Sequence, residues 1–179
     1  MRSIPFTAQH YHLINDWLSD WREVIQWSGC DYGFPLSEKT LTYMAEGDGA
    51  ANKSQSCSMF EYNDVLKGHY QIVRDPINRS ARLRRILIAP EFRGHGFGKA
   101  LLHFAITDAL SELQTERVEL NVFSWNKPAL RIYENAGFRH EGSKSLIIRS
   151  LSEEWEILNM VLLRGDFVRT GARTNVYEF

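Results

Sequence analysis

Several things that would decide the class of this chain at once are scarce or missing. Only two cysteines, Cys30 and Cys57, stand among its 179 residues. Their spacing matches no metal site and two are too few for a disulfide framework, so they read as reduced thiols. No stretch approaches the ~18 apolar residues of a membrane span. The opening Met1-Arg2-Ser3-Ile4-Pro5-Phe6-Thr7 lacks the apolar centre of a secretory leader. The expectation is a cytoplasmic protein that binds no membrane and no metal. Charge of one sign is lacking too. The 21 Lys and Arg meet 22 Asp and Glu, for a net charge of −1, so no whole-molecule field recruits nucleic acid. Arg79, Arg82, Arg84 and Arg85 form a local basic run, but no nucleic-acid motif accompanies it and such runs usually lie in solvent. There is no repeat, low-complexity tract or linker. The reading is one domain over residues 1–179, which suits the length.

What is present is core material: 44% hydrophobic and 12% aromatic residues, with 24% charged, the balance of a globular chain. Thr7 caps a helical pattern through Tyr11, Leu13, Ile14, Trp17 and Leu18, and Asp20 begins another through Trp27. Ser28–Pro35 breaks it, and Ser37 starts a short helix ended by Gly47-Asp48-Gly49. Cys57–Tyr62 and Val65–Val73 read as a hairpin turned at Asn63-Asp64. Strand Ala81–Ile88 leads to a helix from Gly96 to about Leu113, with Leu102, Ile106, Ala109 and Leu113 as its apolar stripe. Strand Arg117–Phe123 leads to a helix opened by Asn126-Lys127-Pro128 and closed by Gly137. Strands near Ser145–Ser150 and Trp155–Leu163 follow, and the tail 164–179 carries no clear pattern. The order predicts an α/β (α+β) fold with a mixed sheet, helices on both faces, and a parallel strand pair across 81–123.

The most informative stretch is Ile88-Ala89-Pro90-Glu91-Phe92-Arg93-Gly94-His95-Gly96-Phe97-Gly98-Lys99. A strand ends, and a glycine-rich turn runs straight into a helix. Glycines let a ligand approach backbone N–H groups, and the first helical turn leaves such donors unpaired with a partial positive charge. That arrangement binds phosphate or pyrophosphate. Arg93 and Lys99 add charge at its ends. The glycine spacing is not the dinucleotide fingerprint, and Gly98-Lys99-Ala100 is not a nucleotide P-loop.

Together with Asn126-x-x-Ala129-x-x-x-Tyr133-x-x-x-Gly137-Phe138 downstream, this stretch resembles the GNAT superfamily of N-acetyltransferases. The resemblance covers about residues 56–163, with core motifs over 81–138. It implies a mostly antiparallel twisted sheet with a splayed central parallel pair, and acetyl-CoA as cosubstrate without a metal. It implies that Ile86, Leu87 and Ile88 hold the pantetheine and acetyl group. Arg93, Gly94, His95, Gly96, Phe97, Gly98 and Lys99 would hold the pyrophosphate, and Asn126 would contact the CoA arm. Tyr133 would be the acid that protonates the leaving thiolate, as a phenol can. Where many relatives carry a Glu as base this chain has Asn121; Glu119, one step back on the same face, is the candidate carboxylate, and a water chain held by Asn121 or Glu119 is the alternative. The basic run could also reach the CoA 3′-phosphate. Trp27, Asp31, Tyr32 and Phe34 are candidates for the acceptor side. Trp27…Pro35-Leu36 and Val118–Phe123 resemble the branch of ribosomal-protein N-terminal acetyltransferases and uncharacterised bacterial relatives. The acceptor is a small-molecule amine or a peptide or protein amine, and a homodimer is compatible with the family. The competing reading is a non-catalytic acyl-CoA-binding module or sensor, which would need no base.

Overall fold

The computed structural model describes residues 1–29, 32–46, 54–148 and 152–171. It divides into two compact units, each assembled from separate stretches. The first takes Met1–Val73 and Arg84–Leu101, and the second takes Arg74–Leu83 and the residues from Leu102 onward.

The first unit opens with β1 (Arg2–Pro5), which pairs antiparallel with β2 (Gln55–Tyr62), Ile4 opposite Met59. Four residues with a proline carry no alternation signal, so this strand escaped the sequence reading. After a single 3₁₀ turn come α1 (Tyr11–Trp17), α2 (Trp21–Ser28) and α3 (Glu38–Glu46). Asp20 caps α2 by accepting from the Glu23 N–H at 2.9 Å, and Gly29 ends it at φ 74. Ser37 Oγ accepts from the Thr40 N–H at 3.1 Å at the start of α3. β2 and β3 (Val65–Asp75) form the expected hairpin. Asn63 and Asp64 both take positive φ, 52 and 59, the requirement of the tight turn whose twist matches the strands. Ile14, Trp17, Val24, Trp27, Leu41, Met44, Met59 and Leu87 are buried in one cluster.

The second unit pairs the start of β4 (Ser80–Ile88) with β5 (Arg117–Phe123) in parallel, from Ser80 opposite Arg117 to Leu83 opposite Leu120. β7 (Glu153–Leu163) pairs antiparallel with β5, and β6 (Arg139–Ile148) with β7. β6 begins earlier than Ser145, where the polar run Arg139–Lys144 masks it. Among the described residues the sheet has seven strands in the order β1-β2-β3-β4-β5-β7-β6, with β4 and β5 parallel. α4 (Phe97–Ala109) buries Leu102, Ile106 and Ala109 as the stripe predicts, but it stops short of Leu113, which is exposed. The reason is Arg164, at the start of α6 (Arg164–Gly171). Its guanidinium donates to the carbonyls of Leu110, Glu112 and Thr115 at 2.7–2.8 Å, holding the chain after Ala109 in a turn. Asn126 caps α5 (Lys127–Asn135), and Gly137, at φ 98, closes it.

Candidate functional site

The glycine cradle lies within the first unit. Pro90–Phe92 form one 3₁₀ turn, and α4 begins at Phe97. Between them Gly94 and Gly96 take φ of 80 and 83, a region that L side chains adopt only with strain. A Cβ at Gly94 would meet nothing within 4 Å, so the loop is open there. The N–H groups of Gly94, His95, Gly96 and Gly98 reach no protein acceptor among the described residues, whereas Lys99 and Ala100 already donate to the Gly96 carbonyl. Four unmet donors at a helix start, with no side chain filling the space at Gly94, fit a pyrophosphate.

The charges around this loop differ from the sequence expectation. Arg93 is committed to protein. Nε donates to the Ile88 carbonyl, one terminal nitrogen to the Trp17 carbonyl and the other to Glu23 Oε1, each at 3.1 Å. Its work is to tie the loop to α1 and α2, and its charge is met by Glu23. His95 on the loop and Lys99 in the first turn of α4 are exposed, while the Phe97 side chain is buried. Sequence reasoning missed Lys67 on β3. Its buried ammonium sits 3.4 Å from the ring centroid of Phe92 and 4.6 Å from that of Phe97, a cation gripped by the two aromatics that flank the cradle. Positions of Lys, Phe and Phe so far apart in sequence carry no signal of that contact.

Ile86, Leu87 and Ile88 form the end of β4, where the Ala89 N–H donates to the Lys67 carbonyl at 3.0 Å. Just before them Arg85 adopts φ 52 in mid-strand. Its carbonyl accepts from Trp27 Nε1 at 2.8 Å and from His69 Nδ1 at 2.9 Å. Those two hydrogen bonds hold a backbone geometry that costs on the order of 1–3 kcal/mol. Trp27 is thereby a core residue, edge-on to His69, and not an open aromatic wall. Tyr32 packs against the same core, and its hydroxyl interacts with the Arg85 side chain. Phe34 is partly exposed, and Asp31 lies outside the described residues. The expectation that the basic run lies in solvent holds for Arg79, Arg82 and Arg84 but fails for Arg85, which is buried.

The second unit holds the other four residues. Glu119 is not poised to take a proton: Arg82 donates to Oε2 at 2.5 Å and Arg117 to Oε1 at 2.7 Å. Burial would raise its pKa, but those hydrogen bonds and charges outweigh burial and hold it below the ordinary value. Asn121 is exposed on β5 and accepts from Asn159 Nδ2 across the strand pair at 3.2 Å. Asn126 caps α5, its Oδ1 accepting from the Ala129 N–H at 3.3 Å, which leaves its amide N–H₂ for other use. Tyr133 stands on α5, tilted against Phe138 with ring centroids 6.0 Å apart. Burial alone pushes its phenol up to about 12, so the group is a proton donor throughout the neutral range.

Among the described residues no cluster of His, Cys, Asp or Glu could hold a metal ion, and no helix is long and apolar enough to cross a membrane.

Comparison with known proteins places these features in context. The model of the acetyltransferase (GNAT) family matches residues 21–138. A spermidine N(1)-acetyltransferase of Vibrio cholerae serotype O1 is 38% identical over 66 residues, which is 37% of this chain and 38% of that protein. An uncharacterised, SPbeta prophage-derived N-acetyltransferase of Bacillus subtilis is 29% identical over 76 residues, 42% of this chain and 43% of its own. The chain thus spans about two fifths of the curated relatives it matches. The crystal structure of a Vibrio cholerae spermidine N-acetyltransferase in complex with CoA and spermine superposes with a TM-score of 0.75 at 20% identity, covering 93% of this chain and 97% of that one. At that identity the likeness is one of fold.

Proposed function

The chain belongs to the acetyltransferase (GNAT) family, and on that premise we propose that it transfers an acetyl group from acetyl-CoA to a primary amine. The observation that carries this reading is the set of four unmet backbone donors at Gly94, His95, Gly96 and Gly98, which fits the pyrophosphate of CoA. A relative of the same fold bound to CoA and spermine supports both halves of the proposal, a CoA site and an amine acceptor.

When bound, acetyl-CoA supplies an acetyl thioester. The amine nitrogen bonds to the carbonyl carbon as the carbon–sulfur bond breaks, so the amine loses one proton and the sulfur gains one. Within this chain the Gly94–Gly98 backbone binds the diphosphate and Arg93 holds that backbone in shape. Ile86–Ile88 offer strand-edge backbone groups to the pantetheine arm, and the Asn126 amide donates to it. Tyr133 holds its proton at Oη for delivery to sulfur. Glu119, locked between two arginines, is a poor base, so the amine's proton leaves to water.

Tyr133→Phe tests the assignment. CoA affinity measured by calorimetry should stay within about twofold, and kcat should fall roughly 10²- to 10⁴-fold, the usual yield of a positioned acid. Because burial raises this phenol to about 12, its acidic form persists across the assay range. The wild-type rate should show no loss from tyrosine ionisation below about pH 10. Unchanged turnover in the variant removes Tyr133 from the chemistry. The sensor reading draws on one observation, the absence of a carboxylate free to act as base at Glu119 or Asn121. Release of free CoA in the presence of any amine, above hydrolysis, decides against it.

A further inference from the structure

The first unit contains a buried polar cluster that the proposed chemistry does not use. Its centre is Arg85, 7% exposed. One terminal nitrogen donates to Gln71 Oε1 at 2.6 Å, and the Tyr32 hydroxyl is a further hydrogen-bond partner. The Arg85 Nε is buried and reaches no acceptor. Among the described residues no Asp or Glu pairs with this guanidinium; exposed Arg84, of the same sign, bears on it, and the Tyr32 and Cys57 side chains, which favour its charged form, do not outweigh burial. Burial, and then Arg84, lower its pKa, the mark of a cation that is desolvated and not compensated. A second orphan accompanies it. His69, 1% exposed, donates through Nδ1 to the Arg85 carbonyl, and its Nε2 lone pair meets no donor. Native proteins leave few such groups unmet, and a buried charge without a partner is costly.

Position gives the cluster meaning. Arg85 directly precedes Ile86–Ile88, so its Cα lies one peptide unit, about 3.8 Å, from the segment assigned above to the acetyl arm. The left-handed backbone of Arg85 is pinned by two side-chain hydrogen bonds, from Trp27 and His69, so the guanidinium's origin is fixed. Tyr32, its hydroxyl partner, is only partly buried, so the cluster extends from the buried guanidinium to a side chain that meets solvent.

We propose that Arg85 binds a carboxylate carried by the acceptor, so that the substrate of this enzyme is an amine that also bears a carboxylate, such as an amino acid. The inference rests on the acetyl-transfer reading above. A carboxylate accepts from a guanidinium in a fixed planar geometry, and it would supply the anion that Arg85 lacks. A polyamine would instead bring further positive charge beside Arg84 and Arg85.

The test uses the full-length protein, acetyl-CoA and matched acceptors: lysine against lysinamide, ornithine against putrescine, and spermidine. CoA release is followed for each. The carboxylate member of each pair should have the higher kcat/KM by at least about tenfold, the worth of one charged hydrogen bond. In Arg85→Gln that ratio should collapse toward one, and Arg85→Lys should restore part of it. CoA affinity by calorimetry reports whether each variant is folded. If Arg85→Gln fails to bind CoA, Tyr32→Phe takes its place and should lower the ratio by a smaller factor. Equal use of acid and amide by the wild type, or a preference for spermidine, overturns the carboxylate site while leaving acetyl transfer intact. CoA binding without transfer to any of the five acceptors overturns the carboxylate site, and release of CoA to any other amine would then still uphold acetyl transfer.

Discussion

Gly68→Ala puts the packing around the strand that carries the site to a quantitative test. Gly68 lies on β3, opposite Phe60. A Cβ built there would stand 2.6 Å from Leu101 Cδ1, 2.6 Å from the Leu87 carbonyl oxygen and 3.0 Å from Ile88 Cδ1. The leucine tip can rotate away, but the carbonyl cannot. A carbon–oxygen contact needs about 3.3 Å, so β4 must retreat by roughly 0.7 Å at Leu87. That movement strains the neighbouring hydrogen bond from the Ala89 N–H to the Lys67 carbonyl. Overpacking of this kind costs about 1–3 kcal/mol, and a weakened ladder bond adds about 1 kcal/mol. The reduced chain entropy of alanine returns about 0.5–1 kcal/mol. The net is a loss of about 1–3.5 kcal/mol, which for a chain of this length lowers Tm by roughly 2–14 °C. Thermal unfolding followed by circular dichroism reads it, and calorimetry should show weaker CoA binding in the same variant. The sign is decisive. Without the steric conflict, alanine in a strand stabilises, so an unchanged or raised Tm would refute the reasoning.

Two further predictions concern groups that the structure reassigns. If Arg93 braces the cradle through Glu23, then Arg93→Met and Glu23→Gln should each weaken CoA binding, and the double variant should be little worse than either, with a coupling of about 0.5–1 kcal/mol in thermal stability; a large loss of CoA affinity in Arg93→Met alone, with Tm and Glu23→Gln unaffected, would mean the guanidinium touches phosphate directly. Burial pulls His69 down from 6.5 to about 4, so the unfolded chain binds this proton first. The stability His69 gains by staying neutral is therefore full above about pH 6.5 and is lost as pH falls toward 4, in total about 3 kcal/mol. Urea unfolding at pH 7.5 and pH 4.5 should show a smaller difference for His69→Gln than for the wild type, and equal differences would contradict the assignment.

The sequence made legible those features whose cause is local. Asn63-Asp64 predicts its turn because two adjacent residues must tolerate positive φ, and Asn126 with Pro128 predicts a helix start because capping needs only the next three residues. Gly94 and Gly96 announce an open cradle for the same reason: the chemistry there belongs to the backbone, and glycine is what frees the backbone. Side chains whose task depends on distant partners were not legible. The motif makes Arg93 a phosphate ligand, yet its carboxylate partner stands 70 positions away. The basic run places Arg85 in solvent, yet it is buried and hydrogen-bonded to Gln71, Trp27 and His69. Leu113 fits the helical period, yet Arg164 holds the carbonyl of Glu112, 52 residues before it, in a turn that ends the helix first.

This division has a functional consequence. On the proposed function, recognition of the acyl donor is built from backbone N–H groups and a helix start, so it survives as a readable motif whatever the surrounding side chains become. On the carboxylate proposal, recognition of the acceptor falls to side chains such as Arg85, Tyr32 and His69, drawn from β3, β4 and the segment after α2. A single exchange there reverses the charge an acceptor meets and leaves every glycine of the cradle in place. A chain can therefore share the donor motif and fold of a spermidine acetyltransferase and still select an acceptor that also bears a carboxylate. On the carboxylate proposal, the Arg85 guanidinium, which has no Asp or Glu partner among the described residues, is the feature of this chain that makes that choice.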